Sequence, residues 1–221
     1  MNHDMRKILD LTAEFQGKAQ QIFRYNKNPF VVGDNIAEHL ARVLRLLTYI
    51  TPNLLVEFPD ELSLVQKVFS CLVVHDDDEI IEGFDVPTAI KVHNEQDGEE
   101  IRKFSQAVSA LPELSREFLI NRFSSFRKRD TLASRIAKAL DNIAGNQLVI
   151  EQGGLVNPDS ARFCIEYAMK VKSVSKTTDA LADAQIEQII EWRKNAKRLL
   201  EIDVETHTLD KSKVYTPIDR L

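Results

Sequence analysis

Apolar side chains along this chain recur at intervals of three and four, so the pattern predicts amphipathic helices separated by short polar turns. Ile8, Phe15, Ala19 and Ile22 place a first helix at the start of the chain, ending near Phe23-Arg24-Tyr25-Asn26. A loop with Pro29 and Gly33 follows. Asp34 or Asn35 can cap a second helix that carries Ile36, Leu40, Val43 and Leu47. Thr51-Pro52-Asn53 is expected to end it, because proline disfavours helix at the residue before it. A third helix is expected from about Glu61 to Glu82, with Val65, Phe69 and Leu72 on one stripe and Gly83 as its stop. Beyond Val86-Pro87 the pattern predicts short helices over Glu99 to Ala110 and Pro112 to Phe126, the second opening on proline at an allowed position. A clearer helix spans Thr131 to Ile150 and stops at Gln152-Gly153-Gly154. Pro158-Asp159 opens another with Phe163, Ile165, Tyr167 and Met169, and Ala180 to Leu200 forms the last around Ile186, Ile189, Ile190 and Trp192. Ile202 to Leu221 lacks periodicity and is expected to lie on the surface as a tail. The pattern therefore predicts an all-α fold: a single compact helical bundle over residues 1–201 with a tail at 202–221, and no internal repeat or domain boundary.

Composition sharpens this picture. A chain of 221 residues with 43% hydrophobic content can build a sizeable core, and only 7 Gly and 7 Pro argue against a turn-dense β-sandwich. The balance of 29 Lys+Arg against 34 Asp+Glu gives a net charge of -5, which repels polyanions, so neither nucleic acid nor membrane is an expected partner. The run Arg127-Lys128-Arg129 reads as a solvated helix end. Cys71 and Cys164 stand in apolar surroundings without CxxC spacing and read as buried thiols of a reducing compartment. The start, MNHDMRKILDLTAEF, lacks the apolar core of a signal peptide, and no run approaches membrane-spanning length, so a soluble cytoplasmic protein is expected.

Chemistry enters where apolar stripes are interrupted. The stripe Val65, Phe69, Leu72 calls for an apolar residue at position 76, yet the sequence supplies Asp76 preceded by His75. A carboxylate at a core-facing position costs several kcal/mol unless it is paired or bound to a cation. Glu79 follows at i+4 from His75 and i+3 from Asp76 and can share their side of a helix, while Asp77 and Asp78 read as a solvated acidic face. In the helix after Thr131, Ala133, Ala137, Ala144 and Leu148 form a stripe with Asp141 in its middle; Asp141 can bind a metal or pair with Arg135 or Lys138. His39 lies beside Ile36, Leu40 and Val43. Two imidazoles and two carboxylates from three helices thus have reason to meet, and such a mixed nitrogen and oxygen set suits one divalent ion completed by water. Mn, Co, Mg, Ni, Zn and Fe are not distinguished by it. An EF-hand is excluded because Ile80 stands where an oxygen ligand is needed.

The segments NIAEHLARVLRLL, CLVVHDDDEIIEGFDVPTAIK and RIAKALDNIAGNQL, in that order, resemble the H…HD…D signature of HD-domain metal-dependent phosphohydrolases. Within that family, Glu38-His39, His75 to Glu79 and Gly83 to Pro87 are similar to segments of the 5'-deoxynucleotidase branch. The resemblance covers about Arg24 to Leu148. It implies a helical HD-type bundle, metal ligation by His39, His75, Asp76 and Asp141, a catalytic role for Glu79, and a role for Asp85 in holding the sugar and the attacking water. Phe84 is inserted between the glycine and this aspartate. Arg24 with Tyr25 resembles an arginine-tryptophan pair near the substrate phosphate. The implied reaction is hydrolysis of (deoxy)nucleoside 5'-monophosphates to nucleoside and phosphate, with a small phosphorylated substrate as partner; a homodimer is a separate expectation that the resemblance does not supply. The alternatives are hydrolysis of another phosphorylated nucleotide or a non-catalytic regulatory protein that binds nucleotides. A dinuclear site would need further bridging ligands, whereas the chain has only five histidines, His3, His39, His75, His93 and His207. His93 reads either as a substrate contact or as an exposed loop histidine.

Overall fold

The computed structural model describes residues 2–24, 33–85, 95–152, 155 and 158–200, so Tyr25, His93 and the tail at 202–221 lie outside the described residues. The chain runs through α1 (Asn2–Ala19), α2 (Ile36–Glu57), α3 (Leu64–Val73), α4 (Asp77–Glu82), α5 (Glu95–Ala107), α6 (Glu113–Lys128), α7 (Leu132–Glu151), α8 (Pro158–Met169) and α9 (Lys176–Leu200). No strand occurs among the described residues, and the fold is all-α as the periodicity predicts. The β-type pairing present is a bridge between Phe23 and Asn35.

The bundle is built around α7. Its Ala133, Ile136, Ala137, Leu140 and Ala144 pack against Val43, Leu47, Ile50 and Leu54 of α2 and Leu64, Val68, Cys71 and Leu72 of α3. Its other side meets α8 and α9 through Ala139, Ile143, Ala168 and Ala182. This helix is buried on most of its sides, and its alanines let neighbouring backbones approach closely. Thr131 and Ser134 fix its start by reciprocal capping, as Asn35 and Glu38 do for α2. A separate cluster joins α5 and α6, where the rings of Phe104 and Phe123 stack with centroids 4.4 Å apart. Both cysteines are buried and unbridged. No helix among the described residues is long and apolar enough to cross a membrane.

Besides α5, which begins at Glu95 rather than Glu99 and ends at Ala107 rather than Ala110, three elements differ from the periodicity. The helix expected over Glu61 to Glu82 is two helices, α3 and α4, with His75 and Asp76 in the turn between them. The buried stripe is Leu64, Val68, Cys71 and Leu72, continued by His75, while Phe69 is exposed. Secondly, α2 does not stop at Pro52 but runs through it to Glu57. Pro52 sits on the solvent side, where water can satisfy the carbonyl that lacks its amide partner, while Ile50 and Leu54 on the inner side are buried at 7% and 0% exposure. Core packing on both sides of the proline outweighs its local penalty. Thirdly, α9 starts at Lys176, a turn earlier than its apolar run, because Ser175 and Thr178 cap each other and the carboxylate of Glu57 accepts from the amides of Lys176 and Thr177 at 2.6 and 3.0 Å.

If packing alone carries α2 past Pro52, restoring the amide should help. Pro52→Ala is expected to raise unfolding free energy by about 1–3 kcal/mol in urea denaturation, and a loss of stability would show that the proline relieves strain there.

Candidate functional site

The turn between α3 and α4 is made by the histidine itself. His75 Nδ1 lies 2.6 Å from the carbonyl oxygen of Leu72, the acceptor that the amide of residue 76 would use if α3 continued. A carbonyl only accepts, so Nδ1 carries the hydrogen and the helix gives way at this point. The same bond orients the ring and directs Nε2 away from α3. Asp76 then occupies the N-cap position of α4.

Four predicted side chains meet here from three parts of the chain. His39 of α2 is 1% exposed and His75 is 2% exposed. Asp141, from the middle of α7, places Oδ1 3.0 Å from His39 Nε2 and 3.5 Å from His75 Nε2. His75 Nε2 is also 3.2 Å from Asp76 Oδ2. His39, His75 and Asp76 offer donor atoms that all lie within 4.8 Å of one another, and Asp141 adjoins them through both imidazoles. His75 Nε2 and Asp76 Oδ2 are buried and make no hydrogen bond among the described residues, although both are strong hydrogen-bonding groups. Two donor atoms that face each other at ion-pair distance without a hydrogen bond, with a second imidazole and a second carboxylate adjacent, fit a divalent cation.

The electrostatics separate the two imidazoles. Burial and the Arg24 charge push His39 down to about 4, against the pull of Asp141. Burial also opposes the charged form of His75, but Asp76 and Asp141 outweigh it and raise its pKa to about 10. Both carboxylates are held below the ordinary range despite burial: Asp76 chiefly by His75 and Arg24, Asp141 chiefly by Lys138, His39 and His75.

Arg24 reaches the cluster from the segment between α1 and α2. Its guanidinium nitrogens lie 3.5 Å from Asp76 Oδ2 and 3.9 Å from Asp141 Oδ1. The backbone that carries it is clamped: the Arg24 amide donates to the Asp34 carbonyl at 2.8 Å, and the Ile36 amide to the Ile22 carbonyl at 3.0 Å. Gly33 makes the clamp possible, since a Cβ built there would lie 1.6 Å from the Arg24 carbonyl oxygen.

Compared with known proteins, residues 16–182, well over half of the chain, match the HD domain. The chain belongs to the HD-domain family. Its fold is also similar to the crystal structure of a predicted metal-dependent phosphohydrolase from Magnetospirillum magnetotacticum MS-1, with a TM-score of 0.65 and 21% identity over 85% of this chain and 93% of that one. No curated protein matches the chain.

Around the HD residues the structure locates the other expected side chains and corrects two expectations, for Asp78 and Arg127. Glu79 is 3% exposed on α4, one turn beyond Asp76. Asp85 is partly buried just past Gly83, whose φ of 82° ends α4 in the left-handed conformation that glycine adopts without penalty. Asp78 is not solvated: at 4% exposure it pairs with Arg127, which also pairs with Glu100 and lies over the Phe123 ring. Arg127 is therefore not part of a solvated basic end; it ties α4 and α5 to α6 and holds in place the short helix that carries Glu79. Asp141 does pair with Lys138, Oδ2 to Nζ at 2.6 Å, while its other oxygen faces the imidazoles. The pairing reading of Asp141 is thus seen at one of its oxygens, and the other is turned to the two histidines. Sequence reasoning missed Arg127 and Gly33 because their partners are remote in the chain.

The clamp gives a direct test. Gly33→Ala must part the two backbones, so the Arg24 amide should lose its protection from hydrogen exchange and the protein should lose about 1–3 kcal/mol of stability. Unchanged protection of that amide would mean that the clamp does not hold Arg24.

Proposed function

We propose that this HD-domain protein is a metal-dependent phosphohydrolase that cleaves phosphomonoesters, with (deoxy)nucleoside 5'-monophosphates as its substrate class. One observation carries the reading: two imidazoles and two carboxylates converge in the core with an arginine immediately beside them. The description of the similar Magnetospirillum protein supports the same reaction class.

His39, His75, Asp76 and Asp141 would hold one divalent ion. Bound there, it supplies Lewis-acid polarisation of a phosphoryl oxygen and makes water more acidic. The protein's own groups do the rest. Arg24, with its side chain 12% exposed, takes phosphate oxygens in place of its long contacts to Asp76 and Asp141, and charge-assisted pairing gives that exchange its strength. Glu79 receives the proton of the attacking water or orients it. As the water oxygen bonds to phosphorus and the ester bond breaks, the departing nucleoside oxygen takes up the proton that the water gave to Glu79, and phosphate remains against Arg24. Asp85, partly buried just past α4, would contact the sugar and the attacking water, as the resemblance to the nucleotidase branch implies.

The decisive assay offers deoxy and ribo monophosphates, triphosphates and cyclic dinucleotides to the protein loaded with Mn, Co, Mg, Ni, Zn or Fe. Monophosphates should be the best substrates; triphosphates or cyclic dinucleotides in that position would reject the nucleotidase reading. Glu79→Ala should keep its metal while turnover falls about a hundredfold or more, whereas Asp76→Ala should lose metal and turnover together. A Glu79 variant as active as the parent removes that residue from the mechanism.

Metal uptake should also depend on pH in a defined way. Below about 10 the ion must displace the proton of His75, while His39 is already neutral above about 4. Apparent affinity should therefore rise about tenfold per pH unit between roughly pH 5 and 9, with one proton released per ion. Calorimetry in buffers of different ionisation enthalpy reads that proton, and a release of two or none would contradict the assignment.

A further inference from the structure

We propose that Lys138 sets the balance between cation and anion affinity at this centre, by holding one oxygen of Asp141 so that the other alone faces the imidazoles. The inference rests on the metal reading above and extends it to a residue that the four ligands do not require.

The geometry divides the Asp141 carboxylate. Oδ2 is 2.6 Å from Lys138 Nζ, while Oδ1 is 3.0 Å from His39 Nε2 and 3.5 Å from His75 Nε2. The ammonium has a fixed place. It projects from α7 three residues before Asp141, with its side chain 23% exposed, and sits 5.5 Å from the centroid of the Phe126 ring. That ring meets His75 edge-on at 5.5 Å, so the same aromatic side chain flanks both the ammonium and an imidazole. Helix spacing, the carboxylate and the ring together hold the positive charge directly behind the acid.

A fixed positive charge in that place has opposite effects on the two ligands. It repels a divalent ion and so weakens metal binding, and it attracts the phosphate that follows. With Oδ2 engaged, Asp141 presents one oxygen instead of chelating with two, which leaves more of the ion's coordination for substrate and water. Arg24 lies 3.9 Å from Oδ1, so the two cations act through different oxygens of one carboxylate. A residue that only stabilised the fold would shift both affinities in the same direction; Lys138 is expected to move them apart.

The test uses the full chain, stripped of metal with a chelator, as wild type, Lys138→Met and Lys138→Arg. Free Mn2+ is followed by electron paramagnetic resonance during titration, and inorganic phosphate is then titrated calorimetrically into the Mn2+-saturated protein. Lys138→Met should bind Mn2+ about tenfold or more tightly and phosphate about tenfold or more weakly, while Lys138→Arg keeps both within about threefold. If Lys138→Met fails to fold, as judged by circular dichroism, Lys138→Gln keeps a neutral donor and should show the same split. Weaker binding of both ligands, or no change in either, overturns the proposal while the metal reading stands. Wild type that binds no Mn2+ rejects the metal reading and the role of Lys138 with it.

Discussion

The centre of this bundle is organised around one buried carboxylate. Asp141 sits at 5% exposure on α7, the helix around which the bundle is built, where an uncompensated charge would cost several kcal/mol. The fold answers with two imidazoles, an arginine and a lysine. Lys138 comes from α7 itself, His39 from α2, His75 from the turn after α3, and Arg24 from the segment before α2. Those are the elements that share the central apolar cluster or stand at its mouth, so the need to compensate one charge and the burial of apolar surface select the same arrangement. A buried ionic cluster is poor evidence for stability, because hydrophobic replacements often do as well. Its persistence in this core is better explained by chemistry at that place.

Much of this was legible in the sequence, for a simple reason. A charged residue inside an apolar stripe violates a strict periodicity, and His39, His75 and Asp141 each break one. Asp76 is more instructive. A stripe through Val65, Phe69 and Leu72 points to it, but the buried register runs through Leu64, Val68 and Leu72 to His75. The aspartate stands beside the histidine because the helix stops there. Periodicity cannot show that stop, since it arises from an imidazole competing with a backbone amide for the Leu72 carbonyl.

What stayed hidden depends on distance along the chain. Asp78 and Arg127 are separated by 49 residues, and nothing local to either predicts that an acidic run and a basic run will neutralise each other inside the protein. Gly33 looks like any loop glycine until the Arg24 carbonyl is placed against it. Pro52 fails in the opposite sense: its local signal to stop is strong, but helix α2 has core contacts beyond it that the signal does not weigh. Local chemistry thus marked the side chains that meet, and long-range packing decided their partners and the boundaries of their helices.

The spread of the centre along the chain also governs when it can exist during synthesis. Asp141 stands 102 residues after His39, and α7 supplies the surface on which α2 and α3 bury their apolar sides. While the ribosome is still making the first half of the molecule, the histidines and Asp76 have emerged without their counter-residue or the helix that encloses them. Contacts of such long sequence separation form late because loop closure must precede their reward. The centre is therefore a product of completed folding, and a nascent or truncated chain ending before α7 would present two histidines and an aspartate as an open, weak and unselective chelator.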